Sequence, residues 1–206
     1  MTTIDAALVS APTYSRLTAD TRYVLSGFPT GLAATIVCAT GLSLGLGLAV
    51  LWIGVPILIA TMMLARGFAV TERTRIAVAP FVYRAAASDT VISRLIAVVT
   101  DPQSWRDLAH AMLRCVPSAI AFSVVVSWWA AVAGGMTWAL WGWSLPQDGK
   151  EVPELLGFGD DYWRIVGFYL VVAAVFALTL PAVAGWAARF EAGFAQRLLS
   201  PGARGN

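Results

Sequence analysis

From Tyr23 to Ala65 the chain runs for 43 residues, YVLSGFPTGLAATIVCATGLSLGLGLAVLWIGVPILIATMMLA, without one Asp, Glu, Lys or Arg, and Arg22 and Arg66 bracket the run. As one helix it would extend about 65 Å, roughly twice the hydrocarbon thickness of a bilayer. A single helix overshoots, whereas two crossings joined by a tight reversal fit. The reversal is expected in Thr40–Gly47, TGLSLGLG, where three glycines and two hydroxyls interrupt the apolar pattern. A second uncharged run, Cys115–Gln147, covers 33 residues.

Only 13% of the 206 residues are charged, against about 25% in soluble domains. With long uncharged runs and a mean hydropathy of +0.72, this places the chain among integral membrane proteins. The net charge of +2 is too small to point to nucleic acid. Cys38 and Cys115 have no CxxC partner and lie in or beside apolar runs, so two buried thiols are expected rather than a disulfide. The first 22 residues carry Asp5, Arg16, Asp20 and Arg22. They lack the apolar core of a cleavable signal peptide, so the first hairpin is expected to direct insertion.

The expected fold is an all-α integral membrane protein with four transmembrane helices arranged as two hairpins. The crossings fall at about 23–40, 47–66, 117–137 and 163–188. Pro29 would sit in the first turns of its crossing, where a missing backbone donor is tolerated, and Pro56 would kink the second. Gly27 with Gly31, and Gly41 with Gly45, form small-xxx-small pairs that let helices approach closely. Residues 1–22 form a tail, 67–114 a connection, 144–162 an acidic loop and 202–206 a second tail, around a membrane domain over 23–201. FPTGLAA at 28–34 and VPSAIAF at 116–122 open the two hairpins alike, a weak internal repeat.

Orientation follows from the positive residues. The N-terminal tail holds two, the connection from Arg66 to Arg114 seven and the C-terminal segment three, so twelve of fourteen fall on one side of a four-crossing chain. Both termini and the connection are therefore expected in the cytoplasm and the acidic loop outside, in a multi-pass protein of the cell membrane.

Within the connection, Asp101-Pro102 reads as a helix start, with an acid at the N-cap and proline in the first turn. Trp105, Leu108 and Met112 then share one face, and Arg106, His110 and Arg114 another. That division is the pattern of an amphipathic helix lying in the cytoplasmic membrane surface, with its arginines on lipid phosphates. At the opposite side, Trp138, Trp141 and Trp143 precede the acidic loop, and Asp160, Asp161, Tyr162 and Trp163 end it. These form a candidate external surface for a ligand or partner. Aromatic faces beside carboxylates suit a cationic amphiphile, while an ordinary aromatic belt has the same composition. Asp160-Asp161 equally suits a solvated helix start.

The sequence carries no recognised catalytic signature. One histidine rules out a His-based metal cluster, and no GxxxxGK[ST], GxSxG or HExxH is present. The central portions of the expected crossings carry no ionisable residue, which argues against a pump or secondary transporter. No cofactor and no enzymatic activity are expected.

Two stretches carry a resemblance. GFPTGL, TGLSLGLGL, WIGVPIL and LARGFAVTER lie within 23–73, and DPQSWRDLAHAMLRCVPSAIAF occupies 101–122. With the closing LPAVAGWAARFEAGFAQRLLSP, the chain resembles the sensor-domain family of actinobacterial membrane proteins. Members of that family stand at the N-terminus of some sensor histidine kinases. No phospho-acceptor context surrounds His110 and no glycine-rich ATP lid is present, so the resemblance implies a sensing module without its output enzyme. It supplies no ligand and no binding residues. The expected function is a non-catalytic sensory or regulatory membrane protein acting through a partner. The alternatives are a structural accessory subunit of a membrane complex and, more weakly, a lipid- or small-molecule-handling protein. Expected partners are the lipid bilayer and another membrane or cytoplasmic protein, with a second copy of the chain as a further candidate.

Overall fold

The computed structural model describes residues 13–76, 83, 90–145, 152–157, 159 and 161–199. All regular structure among them is helical: α1 (Thr13–Gly47), α2 (Gly54–Arg75), α3 (Val91–Thr100), α4 (Pro102–Leu113), α5 (Cys115–Trp141), α6 (Val152–Leu155) and α7 (Tyr162–Leu199). Four stretches are long and apolar enough to cross a membrane: Tyr14–Gly47, Gly54–Arg75, Pro102–Ser144 and Tyr162–Leu199. The protein is thus an all-α, multi-pass membrane protein with four spanning helices. Many large apolar side chains remain exposed along them, Leu140, Val171 and Leu178 among them, as lipid-facing surfaces require.

The reversal between α1 and α2 lies later than the glycine pattern suggested. Residues 40–47 continue α1, and the chain turns through a short 3-10 segment at Ala49–Leu51. Trp52 closes that turn with φ 61°, a left-handed conformation unusual for a bulky residue. The glycines instead serve packing. A Cβ on Gly41 would meet the Thr61 side chain, and one on Gly45 would lie 3.1 Å from the backbone of Leu58. They therefore let α2 press against α1 as small residues do between membrane helices.

The proline roles are exchanged for the same reason. Because α1 starts at Thr13, Pro29 lies well inside it. Because α2 starts at Gly54, Pro56 sits in its first turn, where its missing donor is one of the groups that no helix satisfies internally.

The chain divides into two compact units. In the hairpin unit, Tyr23–Ala121 with Ala188–Asn206, α3 and α4 both pack on α2. Ala34, Cys38, Ala65, Leu108 and Ala111 form a small buried core, with Met112 packed on it. In the aromatic unit, Met1–Arg22 with Phe122–Ala187, α5 and α7 approach closely at Gly135, where a Cβ would lie 2.6 Å from the Tyr169 carbonyl oxygen. Cys38 is buried, Cys115 is half-buried, and both are free thiols.

Two glycines separate close approach from mere flexibility. A Cβ on Gly54 would run into the backbone of Gly45, Leu48 and Ala49, whereas one on Gly67 would meet nothing within 4 Å. Gly54→Ala is expected to cost about 1–3 kcal/mol through overpacking. Gly67→Ala should be neutral or gain up to about 1 kcal/mol from reduced chain entropy. Thermal unfolding of both variants in detergent checks this; equal midpoints would mean that the turn is looser than described.

Candidate functional site

Arg94, Arg189 and Arg197 of the hairpin unit stay exposed, but other charged residues converge. They are drawn into two buried networks, both reached from α2. In the first, Arg73 of α2 extends to Asp107 of α4, Nη2 to Oδ1 at 2.7 Å, and both side chains are buried. Gln103 Nε2 donates to the same Oδ1 at 2.9 Å. Tyr83 accepts from Arg73 Nη1 at 2.8 Å and donates to Asp107 Oδ2 at 2.6 Å. Burial and this carboxylate push the Tyr83 hydroxyl up to about 12, so it stays protonated and remains a donor. Beside the network, Arg66 is held by Ser104 at 2.6 and 2.9 Å and by Asp101 at 3.3 Å. Its guanidinium also lies over the Tyr83 ring, 4.3 Å from the centroid.

The second network centres on Arg114, at the junction of α4 and α5. Its Nη1 meets Glu72 Oε2 of α2 at 2.8 Å, and its Nη2 meets Glu191 Oε1 of α7 at 3.3 Å. Ser118 of α5 donates to the same Glu191 oxygen at 2.8 Å. Arg75 shares Glu72 at 3.2 Å and donates to the Tyr23 carbonyl at 2.8 Å. Glu72 and Glu191 are each 1% exposed and Arg114 is 4% exposed. Across the two networks, Arg66, Arg73, Arg75 and Arg114 stand against Glu72, Asp101, Asp107 and Glu191. Each buried charge thus has a partner, as burial away from water demands.

The networks also tether the end of α7. Arg73 Nε donates to the Leu199 carbonyl at 3.3 Å, and Arg106 donates to the Arg197 carbonyl at 3.2 Å. Leu199 and Ala195 are buried against Ala69 of α2.

This arrangement corrects the in-plane helix. Asp101 does cap α4, accepting from Gln103 N at 3.0 Å, with Pro102 in the first turn. Leu108 and Met112 do face the bundle, and Trp105 is 46% exposed. The face expected on phosphates, however, divides. Arg106 stays near the surface, while Arg114 turns inward to its two carboxylates. His110 is buried as well, stacked 6.0 Å from Phe194, with neither ring nitrogen partnered among the described residues. Nor does the connection lie wholly beyond the Arg75 end of the hairpin: Ile92, Ile96 and Val99 of α3 line a groove with Val55 and Ile59, near the start of α2.

In the aromatic unit, the structure brings together part of the expected external surface. The Trp138 ring lies 4.6 Å from Trp141 and 4.1 Å from Tyr169. Tyr162 donates to the Ala139 carbonyl at 3.1 Å and packs edge-on to Trp163 at 5.6 Å. Trp143 and Trp163 are exposed. Asp161 accepts from Arg164 N at 3.3 Å, the hydrogen bond of a helix start. Asp160 lies outside the described residues. Trp138 is half-buried among these neighbours, and the rings meet edge-on or tilted.

Removing one partner of a buried ion pair strands the other charge. Arg114→Ala is therefore expected to destabilise the hairpin unit by about 3–5 kcal/mol, against about 1 kcal/mol or less for Arg106→Ala. Chemical denaturation of the two variants compares them directly. Equal losses would restore a surface helix with equivalent arginines.

No curated protein and no solved structure matches the chain. The family model described as "Putative sensor" matches residues 23–199, a span that takes in both networks and the α7 end that they hold. With that match over most of its length, the chain belongs to the "Putative sensor" family.

Proposed function

We propose that this is a non-catalytic sensory or regulatory protein of the cell membrane, with both termini in the cytoplasm, which acts through a partner protein. Membership of a sensor family supports the sensory part. The charge asymmetry of the sequence supports the orientation, with twelve of fourteen basic residues on the side of the termini. The observation that carries the reading is the clamp on α7. Glu191 and the Leu199 carbonyl tie the end of this helix to Arg114 and Arg73. A change in hairpin packing would then reach the C-terminal segment through two buried ion-pair networks. Such networks suit two discrete arrangements, because an intermediate leaves charges unpaired.

Purification in mild detergent after in-cell crosslinking tests the role. Recovery of a kinase or transcriptional regulator, diminished in a Glu191→Gln variant that still folds, is the expected outcome. Stoichiometric recovery of a transporter, respiratory or cell-envelope complex, unaffected by that substitution, would replace signalling with the accessory-subunit reading.

A further inference from the structure

Beside the Arg114 network, the hairpin unit opens a cleft of about 330 Å³. One end is apolar, with Ala33 of α1 and Phe68 of α2. About one helical turn away, at Thr30 and Glu72, the lining becomes polar and includes Arg75 and Arg114. The pairing of an apolar trough with a charged end describes an amphiphile.

The sign of the charge follows from accessibility. Glu72 is buried and already takes two guanidinium groups, whereas the Arg75 side chain is 19% exposed. The most exposed charge lining the cleft is therefore the Arg75 guanidinium, which also donates to Ser26 and Thr30 and lies over the Tyr23 ring. Arg114 also lines the cleft, and its Nε is buried with no partner among the described residues. Arg75 is also the last residue of the 22-residue spanning helix α2, which is where a lipid headgroup would be met. Basic residues at that depth attract anionic lipids.

We propose that this cleft binds an anionic phospholipid, with the phosphate at Arg75 and beside Arg114 and an acyl chain along Ala33 and Phe68. A free phosphate ion would share the head chemistry but leave the apolar trough unused. The site goes beyond the sensory role, and lipid retention is measured without any partner protein.

The test uses the full chain in mild detergent, with phosphatidylglycerol and phosphatidylcholine of equal chain length as probes and native mass spectrometry as the readout. Both lipids carry the phosphodiester and only phosphatidylglycerol has a net negative charge, so it should be retained about fivefold better, the scale of about 1 kcal/mol for a basic residue near anionic lipid. Arg75→Gln should abolish that preference while chain binding persists. Ala33→Trp, at an exposed position, should fill the trough and weaken both lipids without shifting the melting temperature. It keeps the test decisive if Arg75→Gln fails to fold. Millimolar inorganic phosphate should not displace the bound lipid. Equal retention of the two lipids, retention unchanged in Ala33→Trp, or displacement by inorganic phosphate would each overturn the proposal.

Discussion

Everything in the hairpin unit is arranged around one burial, that of the Arg114 guanidinium between Glu72 and Glu191. A guanidinium cannot be deprotonated to escape the cost of losing water. It must find carboxylates, and both have to come from other helices. Glu72 lies 42 positions before Arg114 and Glu191 lies 77 after it, so the pairing fixes α2 and the end of α7 against the α4–α5 junction. Smaller features follow from it. Gly27 is a glycine because Glu191 occupies the place of its Cβ, and Gly31 leaves room for Ser118 and the stem of Arg114. The Gly27/Gly31 pair is thus a seat for a charge network as well as a point of close approach.

The Asp107 network repeats the principle one helix over. Arg73 and Tyr83 saturate one carboxylate, and Gln103 adds a further donor. Fully satisfied polar networks contribute less to net stability than apolar packing would, but they discriminate sharply between right and wrong alignments. That trade suits a protein whose proposed task is to hold one alignment until a signal favours another. It also leaves His110 in an uncommon position, buried between the networks and hydrogen-bonded to neither.

The spanning helices were legible because the absence of charge over 43 residues admits few folds in water or lipid. The start of α4 was legible because Asp-Pro specifies a cap and a first turn locally. The reversal was misplaced because glycine signals either a turn or a close helix contact, and only the positions of Thr61 and Leu58 decide between them. The inward turn of Arg114 was hidden because i, i+4 spacing fixes a shared face, not what the face meets. Its carboxylates are remote in sequence. The available signal was Glu191 itself, the one acid between Asp161 and the end of the sequence, in the stretch GWAARFEAGFA where Arg189 is the only other charge, since a carboxylate in such surroundings needs a partner. Glu72 and Asp107 gave less warning, each lying beside arginines that could have solvated it.

The Arg114–Glu191 contact holds the end of α7 against the rest of the hairpin unit, and that hold can be measured. Thr71 on α2 and Gln196 on α7 are both exposed and can carry spin labels without entering the core. Pulsed electron spin resonance between them measures the distance in wild type and in Glu191→Gln. A narrow distribution that broadens or shifts when the carboxylate is neutralised is the predicted result. A distribution unchanged by the substitution would contradict the account, because the helix end would then be positioned by apolar packing alone.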